Sequence, residues 1–157
     1  MINPTDFHKT AEFLKDKQEE WHVRTTVNRS YYGVFLYFRD FLNCQGVILP
    51  DPFKTSHHQF VIKCFEKSKT TAIKANDKID HKILGTIWMR LKTLLENRIK
   101  ADYNLGLRFP PSYSNDSLKR AKTTIQDFID LSGTPTETLI VDVAKSYGNQ
   151  IMKNKVK

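Results

Sequence analysis

The sequence predicts an all-α protein, a helical bundle of about five or six helices. Apolar residues recur three, four and seven positions apart along most of the chain. Helix start and stop residues punctuate that pattern, and nowhere does a sustained strand-like alternation appear. A chain of 157 residues with 39% hydrophobic composition is long enough for one well-buried core and short for two. A single domain over 1–157 is therefore expected, with 150–157 as a frayed basic tail.

The elements follow in order. Asn3-Pro4-Thr5-Asp6 opens the first helix with a capping side chain, a first-turn proline and an acid near the positive end of the dipole; Phe7, Ala11 and Leu14 form its buried stripe. A second helix runs from about Trp21 to Asn43, on the spacing of Val23, Val27, Ser30, Tyr31, Val34, Phe38 and Phe41. Its other side carries Tyr32, Phe35 and Leu42, so it needs neighbours on both sides, at a bundle centre or a dimer interface. Gly46 to Pro52 is a break, with Asn43 or Gly46 closing the preceding helix and Pro50 and Pro52 blocking its continuation.

Ser56 caps a third helix bearing Phe60, Val61, Cys64 and Phe65, and Lys67 to Asp77 reads as a polar connection. A long fourth helix with Ile79, Ile83, Ile87, Leu91 and Leu94 on one side delivers Arg98 near its end. Gly106 to Ser114, around Pro110-Pro111, is a loop. Leu118, Ala121, Ile125, Phe128 and Ile129 define the fifth helix, which Gly133 ends. Thr134-Pro135-Thr136-Glu137 is a capping box that starts a last helix carrying Leu139, Ile140, Val143 and Tyr147.

Charge narrows the function classes. The chain holds 25 basic and 17 acidic residues, net +8; its first twenty residues carry five acids and three bases, which leaves 22 basic against 12 acidic on the remainder. Such an excess favours phosphate-bearing partners, against the plain alternative of a solvated basic surface. Cys44 and Cys64 form no CxxC pair and read as small core residues of a reducing compartment. No secretory pattern opens the chain, and no run approaches the roughly 18 apolar residues of a membrane span, so a cytoplasmic location is expected. P-loop, dinucleotide and Gly-x-Ser-x-Gly signatures are absent, which disfavours nucleotide hydrolysis and the common covalent hydrolases.

Two segments carry the chemistry: Arg24-Thr-Thr-Val-Asn-Arg29-Ser-Tyr31-Tyr32-Gly-Val-Phe35, and Arg98-Ile-Lys100-Ala101-Asp102-Tyr103. The first puts two arginines and an aromatic cluster on one helix. The second sets a fixed cation beside a carboxylate and a phenol. Arg98 and Asp102, four apart, share a helical face and can form an ion pair that holds the helix end. Arg29 with Asp102 is a second candidate pair, and arginines satisfied by carboxylates are the structural alternative for Arg24 and Arg29. Tyr31 and Tyr32 read as core aromatics with bonded hydroxyls. His57 and His58 point about 100° apart on a helix and have no third ligand nearby, so neither a metal site nor a cofactor is expected.

With Ser56-His57-His58 and the Leu118-x2-Ala121-x6-Phe128-Ile129 helix, these motifs resemble the HEPN family over roughly residues 5 to 131. The resemblance implies an up-down helical bundle that dimerises and brings two Arg motifs into a basic cleft. In the family's ribonucleases the motif is Arg, four to six residues, then His, and cleavage needs no metal: the 2′-hydroxyl attacks its own phosphate while Arg stabilises charge and His moves protons. Here Tyr103 stands at the histidine position. A phenol with pKa near 10 is a poor base at neutral pH, and loss of a general base costs about 100- to 10,000-fold. Leu105 stands where some family toxins carry a modifiable tyrosine.

The resemblance thus implies an RNA-directed effector of a toxin–antitoxin or antiviral system. Arg98 would stabilise phosphate and Asp102 or Tyr103 would orient it; Arg29, Lys100 and Arg24 would line the cleft, with His57 or His58 as outlying proton carriers. The competing expectation is a non-catalytic module that binds RNA, a nucleotide, or a partner such as a nucleotidyltransferase or another defence protein.

Overall fold

The computed structural model describes residues 3–50, 56–74 and 81–153. Among these the chain is all-α: α1 (Pro4–Leu14), α2 (Glu20–Cys44), α3 (His57–Lys74), α4 (His81–Tyr103), α5 (Ser112–Ile129) and α6 (Pro135–Lys153). The helix starts follow from capping chemistry. The Asn3 side chain accepts from the Thr5 N–H at 3.0 Å, and the Asp6 carboxylate reaches back to the Asn3 N–H at 3.3 Å. At α6 the Thr134 hydroxyl accepts from the Glu137 N–H at 3.3 Å. The Glu137 carboxylate takes the Gly133 N–H at 2.7 Å, one residue upstream of the reciprocal bond that a capping box ordinarily makes.

The end of α2 is closed by Gly46, at φ +73°. Its N–H bonds to the Asn43 carbonyl and that of Val47 to the Leu42 carbonyl, both at 3.0 Å, a Schellman pair; Val47 is buried behind it. α2 itself is buried on several sides, through Val23, Val27, Tyr31, Val34, Phe35, Phe38 and Leu42.

Several expectations are corrected. Lys67 to Lys74 is helix, the last turns of α3, and only 75–77 of the expected connection lies outside the described residues. The polar stretch stays helical because its hydroxyls are satisfied locally: Ser68 bonds to the Cys64 carbonyl at 2.8 Å and Thr70 to that of Glu66 at 2.9 Å, while Ala72 is buried. α5 begins at Ser112 and not after Ser114, because the Pro110 and Pro111 carbonyls accept from Tyr113 and Ser114 and so supply its first turn. Cys44 is exposed at the end of α2, whereas Cys64 is fully buried and its thiol is pushed up to about 12 by that burial. Ile129 is 45% exposed, and α6 continues through Gln150 to Lys153. Pro52, Ile79 and residues 154–157 lie outside the described residues.

The chain divides into two compact units, 1–37 with 89–126, and 38–88 with 127–157, so that α2, α4 and α5 each contribute to both. The first unit packs Val23 and Val27 of α2 with Ala101 of α4 and Phe109. The second is built on Phe38, Phe65 and Phe128, whose rings meet edge to face with Phe38 4.7 Å from Phe65 and 4.8 Å from Phe128. In that unit α6 lies so close to the chain that a Cβ on Gly148 would stand 2.9 Å from the Ile48 carbonyl oxygen.

Candidate functional site

The polar groups of the first unit are organised by one stripe of α2. Arg24, Asn28 and Tyr32 are four residues apart and so share a face, and each engages the last turns of α4. Arg24 Nη1 donates to the Ala101 carbonyl at 2.7 Å, and its guanidinium also reaches the carbonyls of Asn104 at 3.2 Å and Leu107 at 2.5 Å. Asn28 Nδ2 donates to Asp102 Oδ1 at 2.8 Å, and Arg98 Nη2 donates to the Tyr32 hydroxyl at 3.0 Å. A helix ends with four carbonyls lacking intrahelical partners. Arg24 supplies donors to that end of α4 and to the turn after it.

Arg98 and Asp102 form the expected pair, Nε to Oδ2 at 2.9 Å. The Nε–H is not aligned for a hydrogen bond, so the contact is an ion pair. Both side chains are largely shielded, at 17% and 26% exposure. The Arg98 guanidinium lies 5.4 Å from the Tyr32 ring centre and 5.5 Å from that of Tyr103. Burial is the largest influence on its pKa and opposes its charge, but Tyr32, Asp102 and Tyr103 outweigh burial and raise the pKa above its ordinary value. Arg98 is thus a fixed cation. Of its five N–H donors, one reaches the Tyr32 hydroxyl, and Tyr103 also accepts a hydrogen bond from the guanidinium.

The other expected site residues fall as follows. Arg29 turns about 140° from Arg24 around the helix, and its guanidinium lies 5.2 Å over the Phe7 ring rather than on Asp102. Phe7 in turn stacks on Tyr32 with ring centres 6.0 Å apart. Lys100 is exposed in the last turn of α4, and Tyr103 is 71% exposed at its end. Tyr31 is buried, which raises its phenol well above 10. His57 and His58 belong to the second unit, where the His57 ring bonds to the Pro50 carbonyl at 2.8 Å. Among the described residues, no three His, Cys, Asp or Glu side chains converge as metal ligands would.

Sequence reasoning missed Asn28, which holds Asp102. The signal was present: Asn28 lies midway between Arg24 and Tyr32 on their common face. Pairing the two arginines by charge drew attention five residues along, to the wrong side of the stripe.

Fold and site together define an all-α protein with a shielded arginine–carboxylate–tyrosine cluster at a helix end. No protein-family model, curated protein or solved structure matches the chain. No helix is long and apolar enough to cross a membrane among the described residues.

Proposed function

We propose that this chain is a HEPN-type RNA-directed module of a toxin–antitoxin or antiviral system, acting in the cytoplasm as a homodimer, and that it binds RNA rather than cutting it. One observation carries the choice. Arg98 is a fixed cation anchored by Asp102 and Tyr32, while Tyr103, a phenol and not an imidazole, occupies the position that general-base chemistry would need. A guanidinium so held suits phosphate oxygens by its charge and its fork of donors. Lys100 adds an exposed cation on the same turns. Ile99, Tyr103 and Leu105, at 43%, 71% and 81% exposure, give the end of α4 an apolar surface that supports self-association.

A second reading, a metal-independent ribonuclease, has support in the Asp102 carboxylate beside Arg98: a base and a phosphate-binding cation would then be neighbours. The ion pair works against it, because the carboxylate is already engaged by the same guanidinium that would bind the phosphate and by Asn28.

Incubation of the purified protein with a mixed RNA pool in EDTA, beside Arg98→Ala, separates the readings. Binding without cleavage, weakened in the variant, supports the module. Fragments with 2′,3′-cyclic ends that disappear in the variant establish the nuclease instead. Neither binding nor cleavage would remove RNA from the reading and leave a protein partner, such as a nucleotidyltransferase, as the thing bound.

A further inference from the structure

Apart from the Arg98 cluster, the first unit carries a second concentration of positive charge, in a groove of about 330 Å³ between α1 and α5. Among the described residues Lys15, Lys119 and Lys122 line it, against a single carboxylate, Glu12. The arrangement is built rather than scattered. One oxygen of Glu12 meets Lys15 Nζ at 2.5 Å and the other meets Lys122 Nζ at 2.5 Å, so one carboxylate gathers ammonium groups from two helices. Two like charges brought together repel, and Glu12 relieves that repulsion while leaving the groove with an excess of two positive charges. The two lysines hold the Glu12 carboxyl well below the usual range, at about 2, so it stays ionised at any physiological pH. Lys119 has no carboxylate partner among the described residues.

The chemistry of the lining selects the ligand. Among the described residues no aromatic side chain borders the groove, so they offer nothing on which a nucleobase could stack. Its other polar groups, Asn115 and Thr123, are neutral and able to bond sugar hydroxyls. Cations with neutral donors and no stacking surface fit a sugar–phosphate backbone. A plain salt-bridged surface would carry the same Glu12 pairs without the surplus of lysine.

We propose that the α1–α5 groove is a second contact for the RNA, in which Lys15, Lys119 and Lys122 bind backbone phosphates and Glu12 sets the strength of that binding by competing for the same ammonium groups. This rests on the RNA-directed reading above, and it differs from the Arg98 cluster in what it contributes. The groove supplies sequence-independent affinity that falls with salt, because every phosphate neutralised on a single strand releases counterions with a slope of about 0.7 in log K against log salt.

The test is fluorescence anisotropy with a labelled, unstructured RNA of about 20 nucleotides over about 50 to 200 mM salt, with polyglutamate as a competing polyanion. Lys119→Ala/Lys122→Ala is expected to weaken binding and to flatten the salt slope by about 1.4, two contacts' worth. Glu12→Gln is the sharper variant. By freeing Lys15 and Lys122 it should tighten binding and steepen the slope, whereas a merely structural ion pair predicts no gain. Arg98→Ala separates this proposal from the reading it rests on. If that variant loses RNA while the slope and affinity of both groove variants match the wild type, the groove is overturned and the RNA reading stands. If the wild type binds no RNA, both fall. Polyglutamate that displaces RNA at equal charge concentration would overturn RNA as the occupant in favour of an acidic protein.

Discussion

Replacement of Arg24 by alanine tests whether this arginine holds the chain together or waits for a ligand. In the structure its guanidinium serves the carbonyls of Ala101, Asn104 and Leu107 and the Glu20 carboxylate, and it lies 4.8 Å from the centre of the Phe109 ring. The bond to Ala101 is partly buried, and a hydrogen bond to a charged group of that kind contributes about 1.5–3 kcal/mol. The Asn104 and Leu107 carbonyls are exposed and recover water when the donor is removed, so they add less. The i,i+4 pair with Glu20 adds about 0.3–0.5 kcal/mol and the cation–π contact about 0.5–1 kcal/mol. Arg24→Ala should therefore lose about 2–4 kcal/mol, a fall in Tm of about 5–15 °C for a chain of this length. Arg24→Lys should recover little, because a point charge cannot span several carbonyls. Urea denaturation followed by far-UV circular dichroism measures the loss. A loss below about 1 kcal/mol, or RNA affinity that falls in Arg24→Ala under conditions where it is fully folded, would refute the structural role.

Other expectations rest on single contacts. A Cβ on Gly33 would stand 2.3 Å from the His8 ring, so Gly33→Ala should destabilise the wild type, by about 1–3 kcal/mol of overpacking less about 1 kcal/mol of helix propensity. In a His8→Ala background the sign should reverse, and a double-mutant cycle by thermal melting that adds up without coupling would dismiss the contact. Burial lowers the His8 pKa below 6.5, partly offset by a hydrogen bond that the ring donates to the Ser30 backbone carbonyl, so the unfolded chain takes up this proton first. Stability should be level above pH 6.5 and decline as pH falls below it, and His8→Gln should flatten that slope in denaturation curves taken between about pH 7 and 5. Tyr103→His would create an Arg-x4-His spacing and, if the proposed HEPN-type reading holds and the wild type lacks only the base, should raise metal-independent RNA cleavage by about 100-fold or more. An Arg98→Ala/Tyr103→His control must abolish that gain.

The helices were legible because their evidence is local. Asn3 and Asp6, Thr134 and Glu137, and Gly46 announce ends through bonds within a few residues of themselves, and the apolar spacing of α2 and α4 needs no partner to be seen. What failed was judged from polarity alone. Ser68 and Thr70 looked like a loop until their hydroxyls found carbonyls one turn back, and Cys44 looked like core because cysteine is usually buried. The Arg98–Asp102 pair was visible in the i,i+4 spacing. The clamp from Arg24 to residues 101, 104 and 107 was not, since it joins positions about eighty residues apart through backbone carbonyls, which carry no sequence signal.

The arginines of this chain do different work according to what faces them. Arg24 meets carbonyls that a helix end leaves unsatisfied, and its donors are spent on the fold. Arg98, about one and a half turns of α4 before that end, meets a carboxylate and a hydroxyl, which fix its direction. Asp102 is held from its other side by Asn28, so the carboxylate cannot swing away when a phosphate approaches the guanidinium. A phosphate would thus compete with an acid that stays in place, which would make Arg98 a moderate rather than a tight phosphate ligand in the proposed role. Under the proposed RNA-directed role, Arg98 would need further phosphate contacts to hold RNA at cellular salt, and the lysine surplus at the α1–α5 groove would supply them. The combination is additive in log K, so the loss from Arg98→Ala and the loss from Lys119→Ala/Lys122→Ala should sum within about 0.5 kcal/mol if both contact one RNA independently.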